Sequence, residues 1–154
     1  MATARSNKLR DPSLPTAKGG CVCGAVHVEI GVPARWAWHD HSARSRLAQG
    51  CAYATYLGCY KSRFWITKGE AQITRFADEK AGTVRGFCAK CGTPIFYDRL
   101  GASVMVNVPR ALFNTRTGRE PRYHMNLGEQ VDWIWSGEPL APLKGYPGDR
   151  KSVV

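Results

Sequence analysis

Two short cysteine pairs, each flanked by glycine, constrain this chain more than any other feature in it. The first lies in GGCVCG and supplies Cys21 and Cys23; the second lies in FCAKCGTP and supplies Cys88 and Cys91. Side chains at i and i+2 of an extended segment share a face, so Cys21 and Cys23 point the same way. A CxxC turn offers two thiolates to one ion, and Gly92 can take the left-handed conformation such a turn needs. Four thiolates in two tight pairs match a closed tetrahedral zinc site of the structural kind, with no open coordination position. Such a site staples two segments that are distant along the chain. One or two disulfides, or a redox-active CxxC, are the competing readings. A redox pair opens a helix, where the macrodipole lowers a thiol pKa; here Pro94 and the β-like IFY follow instead. The remaining two cysteines, Cys51 and Cys59, fall on one face of a β-like run but too far apart to share an ion, and read as core thiols.

The pattern around these pairs is β. Alternating apolar residues predict strands over 21–31, 51–60, 83–87, 94–97 and 103–108, and a hairpin from 64–67 and 71–76 closed by Lys68-Gly69-Glu70. Residues 109–113 suit a single helical turn, with Pro109 at its start. No segment reads as a helix of three or more turns. The expected fold is therefore mostly β, with a few short helical turns. Trp133 and Trp135 are expected to share a strand face. Of 154 residues, 44% are hydrophobic, enough for one domain with a real core that needs no disulfide to fold. We expect a basic N-terminal tail over 1–18, the domain over 19–145, and a C-terminal tail over 146–154.

No apolar run is long enough to span a bilayer, and the N-terminus lacks the apolar core of a secretory signal. A reducing cytoplasm is the expected compartment, where six cysteines serve as thiols or metal ligands. The net charge of +10 favours acidic partners. Its basic residues are spread along the chain with no run longer than two, which argues against a dedicated nucleic-acid patch. The densest basic stretch holds Arg110, Arg116, Arg119 and Arg122, and reads as a solvated surface or as the lining of an anion site.

GGCVCGAVHVEI, followed about 65 residues later by FCAKCGTPIFY, resembles the glutathione-dependent formaldehyde-activating enzyme family, which includes centromere protein V. QGCAYATYLGCYKSRFWITKGEAQITRF, VNVPRALF and HMNLGEQVDWI carry the likeness onward, so that it spans about 19–140. The resemblance implies an Mss4-like fold and a structural zinc on Cys21, Cys23, Cys88 and Cys91. It also implies carbon–sulfur lyase chemistry on glutathione adducts. That chemistry is centred on a second zinc, bound by a Cys-His-Cys-x-x-Cys-Arg segment about 20 residues after the first pair.

This chain departs from the family there. Its segment reads Asp40-His41-Ser42-Ala43-Arg44-Ser45-Arg46, so Asp40, Ser42 and Ser45 stand at the three cysteine positions. Serine hydroxyls are poor zinc ligands near neutral pH. Three readings follow: a hydrogen-bonded polar loop; a rebuilt metal site using His39 and His41 with Cys51 or Asp40; or an anion pocket using Arg44 or Arg46. On a regular strand Asp40 faces away from the two histidines. His124 resembles a recurring family histidine and by itself reads as a hydrogen-bond partner. The functional expectation is a zinc protein of this family with a degenerate catalytic site. The alternatives are a non-catalytic module for a small anionic or thiol ligand such as glutathione and, less favoured, a nucleic-acid interaction protein.

Overall fold

The computed structural model describes residues 11–101 and 104–134. Its first strand, β1 (Thr16–Gly20), pairs antiparallel with β2 (His27–Gly31), which in turn pairs with β5 (Phe64–Lys68). The larger sheet has seven strands. From one edge they run β10 (Tyr123–Met125), β3 (Trp36–Asp40), β4 (Ala54–Tyr60), β9 (Met105–Pro109), β8 (Pro94–Arg99), β7 (Thr83–Cys88) and β6 (Ile73–Asp78). All neighbours are antiparallel except β10, which lies parallel to β3. One helix, α1 (Ala43–Gln49), follows β3.

The core explains the two-sheet arrangement. Val28, Ile30 and Phe64 from the small sheet are buried in one cluster with Leu57, Ile95, Val106 and Val108 from the large one. These residues recur at every second position, so each sheet turns one apolar face to the other. A second, smaller cluster of Trp38, Ala54 and Tyr56, with Tyr97 and Cys51 against it, lies on the opposite face of the large sheet. The helix covers part of this cluster.

The mostly β expectation holds, but several elements differ. Thr16–Lys18, which the sequence assigns to the basic tail, lie in β1, paired with Glu29–Gly31. The expected strand over 21–31 begins only at His27, because residues 21–26 turn to present the first cysteine pair. The predicted hairpin over 64–76 is not one: β5 joins the small sheet and β6 the large one. The switch occurs at Gly69, whose positive φ of 73° is followed by a 3-10 turn. A Cβ there would sit 2.0 Å from the Ala25 carbonyl oxygen, so only glycine fits.

The polar stretch before Cys51 is not a loop. Ser42 caps a two-turn helix by accepting the Ser45 N–H, and Gly50 closes it in the left-handed conformation. Cys51 follows in a bend, off the strand face that holds Cys59. Trp133 lies exposed in a turn rather than on a strand, and Trp135 and the segment 146–154 lie outside the described residues.

Candidate metal centre and adjoining polar network

The two turns that carry the cysteine pairs meet. The turn between β1 and β2 is closed by the Gly24 N–H donating to the Cys21 carbonyl, and the β7–β8 turn by the Gly92 N–H donating to the Cys88 carbonyl. Gly92 has the left-handed φ of 74° its position requires. Between them the Sγ atoms of Cys21, Cys23, Cys88 and Cys91 all lie within 4.8 Å of one another. Cys21 and Cys23 are 3.6 Å apart, and Cys23 and Cys88 3.8 Å. Tetrahedral zinc with Zn–S bonds of about 2.3 Å separates its sulfurs by roughly 3.8 Å, whereas a disulfide brings them to about 2.05 Å. All six cysteines are free, so the disulfide alternative fails. The Thr93 hydroxyl and backbone N–H pull Cys91 down to about 5, while Cys23, against its Ala25 backbone hydrogen bond, is held up by burial and the neighbouring thiols, so Cys91 is the first of the four to ionise. The four residues fit a metal, and among the described residues no further cysteine, histidine or carboxylate joins them.

Among the described residues this is the one group of three or more cysteine, histidine or carboxylate donors drawn so close together. Asp40, Ser42 and Ser45 do converge, but on one another. The Ser45 hydroxyl donates to Asp40 Oδ2 at 2.7 Å. Asp40 Oδ1 accepts the Ser42 N–H at 3.0 Å and the Asn126 amide at 2.9 Å. Tyr56 Oη extends the network, lying 3.4 Å from Ser45 Oγ and accepting from Arg85 and Gln49. Asp40, Ser45 and Tyr56 are all buried. Burial by itself would raise the Asp40 carboxyl. The hydrogen bonds from Asn126, the Ser42 backbone and Ser45 outweigh it and hold Asp40 below its ordinary value, hence ionised.

The sequence model of the glutathione-dependent formaldehyde-activating enzyme family matches residues 16–129. The chain belongs to this family. A solved structure of a Rhodobacter sphaeroides protein has the same fold, with a TM-score of 0.52 at 22% identity; the alignment covers 63% of this chain and 87% of that one. None of the curated proteins matches. Membership in the formaldehyde-activating family makes the Asp40 network the more informative, because it occupies the segment where the family resemblance puts a second set of ligands.

The histidines of this family member lie on the other side of that segment. His39 and His41 alternate away from Asp40, as strand geometry requires, and both meet His124 on the parallel neighbour β10. His41 Nε2 is 2.9 Å from His124 Nδ1, and His39 Nδ1 is 2.9 Å from the Thr55 hydroxyl. Tyr53 packs its ring against both His39 and His41. Cys51 is not part of this cluster; it packs against Tyr56 and its neighbours, and burial pushes its thiol up. The three imidazoles do not bring a donor set together as the cysteines do.

Burial and the nearby His124 push His41 below its ordinary value of 6.5. A histidine whose folded pKa is depressed binds its proton first in the unfolded chain, so stability falls as pH drops below about 6.5. We therefore expect the melting temperature to decline between pH 7.5 and 5.5, and the His41→Gln variant to show a flatter decline over that interval. An equal slope in both proteins would locate the titration elsewhere.

Of the arginines singled out in the sequence, Arg44 forms an ion pair with Asp78, and Arg46 donates to the His41 carbonyl. Of these two, Arg44 lines a cavity beside α1. That cavity, of about 430 Å³, lies between α1 and the β6–β8 part of the large sheet, walled by Leu47, Phe76, Phe87 and Phe96. Arg85 also lines it, and no motif in the sequence marked that residue. Asn126 was missed too, because its bond to Asp40 spans 86 residues and depends on a strand of only three. Among the described residues no helix is long and apolar enough to cross a membrane.

Proposed function

We propose that this chain is a zinc-stapled member of the formaldehyde-activating family that binds a small anionic or thiol ligand and does not turn over glutathione adducts as a carbon–sulfur lyase. The observation that carries the reading is the 2.7 Å bond between Ser45 and Asp40. It places a carboxylate and a hydroxyl in contact with each other at positions where the family resemblance calls for thiolates. Asp40, Ser42 and Ser45 hold one another instead of a metal. His39, His41 and Cys51 do not replace them as a set of ligands.

Zinc is the ion assigned to Cys21, Cys23, Cys88 and Cys91, since four sulfurs in tetrahedral reach favour it. Bound there, it supplies cross-linking rather than catalysis. The ligand's place is the cavity beside α1, which offers apolar walls and the Arg85 guanidinium, while Arg44 is already neutralised by Asp78. Arg46, turned to a backbone carbonyl, has no part in it. Six free thiols suit a reducing, cytoplasmic setting.

The test combines three measurements on protein purified without chelator. Elemental analysis is expected to give one zinc per chain. Formaldehyde with glutathione is expected to be consumed no faster than in buffer. Glutathione or a related anion, in large excess over its dissociation constant, is expected to raise the melting temperature by several degrees, since saturation at about 100 times Kd adds about 2.7 kcal/mol. Two zincs per chain with turnover above background would overturn the proposal and return the lyase reading. The absence of any ligand-induced shift would remove the binding-module part of it.

A further inference from the structure

The densest basic stretch of the sequence is joined in the fold by an arginine from a distant strand. Arg35, at the start of β3, joins Arg116, Arg119 and Arg122 around an open groove of about 590 Å³. Glu120 is the one acidic residue lining it. All four arginines are exposed, and among the described residues none forms an ion pair. Two aromatic rings border the same groove with their surfaces open: Trp36 is 42% exposed and Tyr123 61%.

The groove is built rather than incidental. Trp36 lies over Gly58, where a Cβ would come within 2.2 Å of its indole nitrogen, so the ring rests flat on β4 and is held in place. Arg35 sits 5.7 Å from the centre of that ring. The opposite bank is pinned through Thr117, which is fully buried; its carbonyl accepts the Ala34 N–H at 2.9 Å, and Arg119 Nε returns a bond to the Ala34 carbonyl at 3.2 Å. Gly118, with a φ of 73°, packs on Pro33, where no side chain would fit. The loop carrying Arg116 and Arg119 is thus fixed to the strand carrying Arg35 and Trp36.

We propose that this groove binds single-stranded nucleic acid, with phosphates on Arg35, Arg116 and Arg122 and unpaired bases stacked on Trp36 and Tyr123. Several unpaired guanidiniums in one open groove suit a run of phosphates better than one terminal phosphate. Exposed rings suit bases that are free to stack, which a duplex does not offer. The groove shares no lining residue with the cavity lined by Arg85, so it is independent of the ligand reading above.

The test is a fluorescence-anisotropy titration of the full chain with a labelled 12-nucleotide single strand at two salt concentrations. Three neutralised phosphates give a log–log salt slope of about −2. Tyr123→Ala is expected to weaken binding about tenfold through lost stacking, and Arg35→Ala with Arg122→Ala at least as much, with steepness of the salt slope reduced. Lys80→Ala with Arg99→Ala removes equal charge from exposed sites elsewhere and is expected to leave affinity within about twofold. Melting curves confirm that each variant is folded, and Tyr123→Phe, which keeps the ring, restores binding. If the control pair loses as much as the groove pair, only net charge is at work and the proposal falls. It also falls if no binding occurs at low salt, if a duplex of the same length competes equally, or if a mononucleotide displaces the strand at equal phosphate concentration.

Discussion

Stripped of its metal by a strong chelator, the protein is expected to lose its cooperative melting transition, and Cys88→Ala is expected to reproduce that loss in the presence of zinc. Cys88 is fully buried at the end of β7, and its sulfur meets that of Cys23 across 65 residues of chain. The site joins the β1–β2 turn of the small sheet to the β7–β8 turn of the large one. Binding a structural zinc releases about 10–16 kcal/mol in small zinc domains, against a total domain stability of about 5–15 kcal/mol. The metal contribution is therefore as large as the entire margin by which such a domain is folded. Losing one ligand also leaves three sulfurs facing one another with no cation between them. Circular dichroism melts with and without chelator, followed by zinc addition, measure the effect. A dithiol-free reductant provides the contrast, since a disulfide staple would fail under reduction and a zinc staple would not. A chelated protein that still melts cooperatively at its original temperature would refute the staple.

How far this site was legible depends on range. Its ligands could be read because each pair is local, CxC and CxxC, and each carries its own glycine. The β strands were legible for the same reason, through alternation over a few residues, as at Leu57 and Cys59 or at Val106 and Val108. What failed was non-local or carried by single residues. The 64–76 segment has the pattern of a hairpin, and only the close approach of Gly69 to Ala25 sends its second strand to the other sheet. The helix over Ala43–Gln49 had readable caps in Ser42 and Gly50, but its seven residues, ARSRLAQ, leave Leu47 exposed and carry no apolar face to announce it. The convergence of Asp40 with Asn126, and of Arg35 with Arg122, rests on the parallel pairing of β3 with a three-residue strand that has no alternation to detect.

Replacing Asp40 by alanine is expected to lower stability by about 3 kcal/mol, or about 6–12 °C in melting temperature for a chain of this size, while leaving zinc content unchanged. The carboxylate accepts from Ser45, Asn126 and the Ser42 backbone at 2.7, 2.9 and 3.0 Å. Hydrogen bonds to a charged acceptor contribute about 1.5–3 kcal/mol each, but burial of the carboxylate opposes them, so the net loss is about 3 kcal/mol rather than the sum of three bonds. Ser45 is 2% exposed and cannot turn to solvent. Two of the three donors sit at the start of α1, so the helix entrance loosens with the network, and so does the wall of the cavity that α1 forms. Asp40→Asn keeps one acceptor oxygen and should cost less than half as much. Because the folded Asp40 pKa lies below the ordinary value of 3.8, its stabilisation is present above about pH 4 and is lost as pH falls through the folded value. The wild-type advantage over Asp40→Ala should accordingly be undiminished at pH 5.5, where the His41 contribution is already fading, and should shrink only below pH 4. That separation in pH distinguishes the two halves of the segment. If Asp40→Ala lost zinc instead of stability, the carboxylate would be a metal ligand, and Asp40, Ser42 and Ser45 would have to be understood as a surviving second site rather than as its replacement.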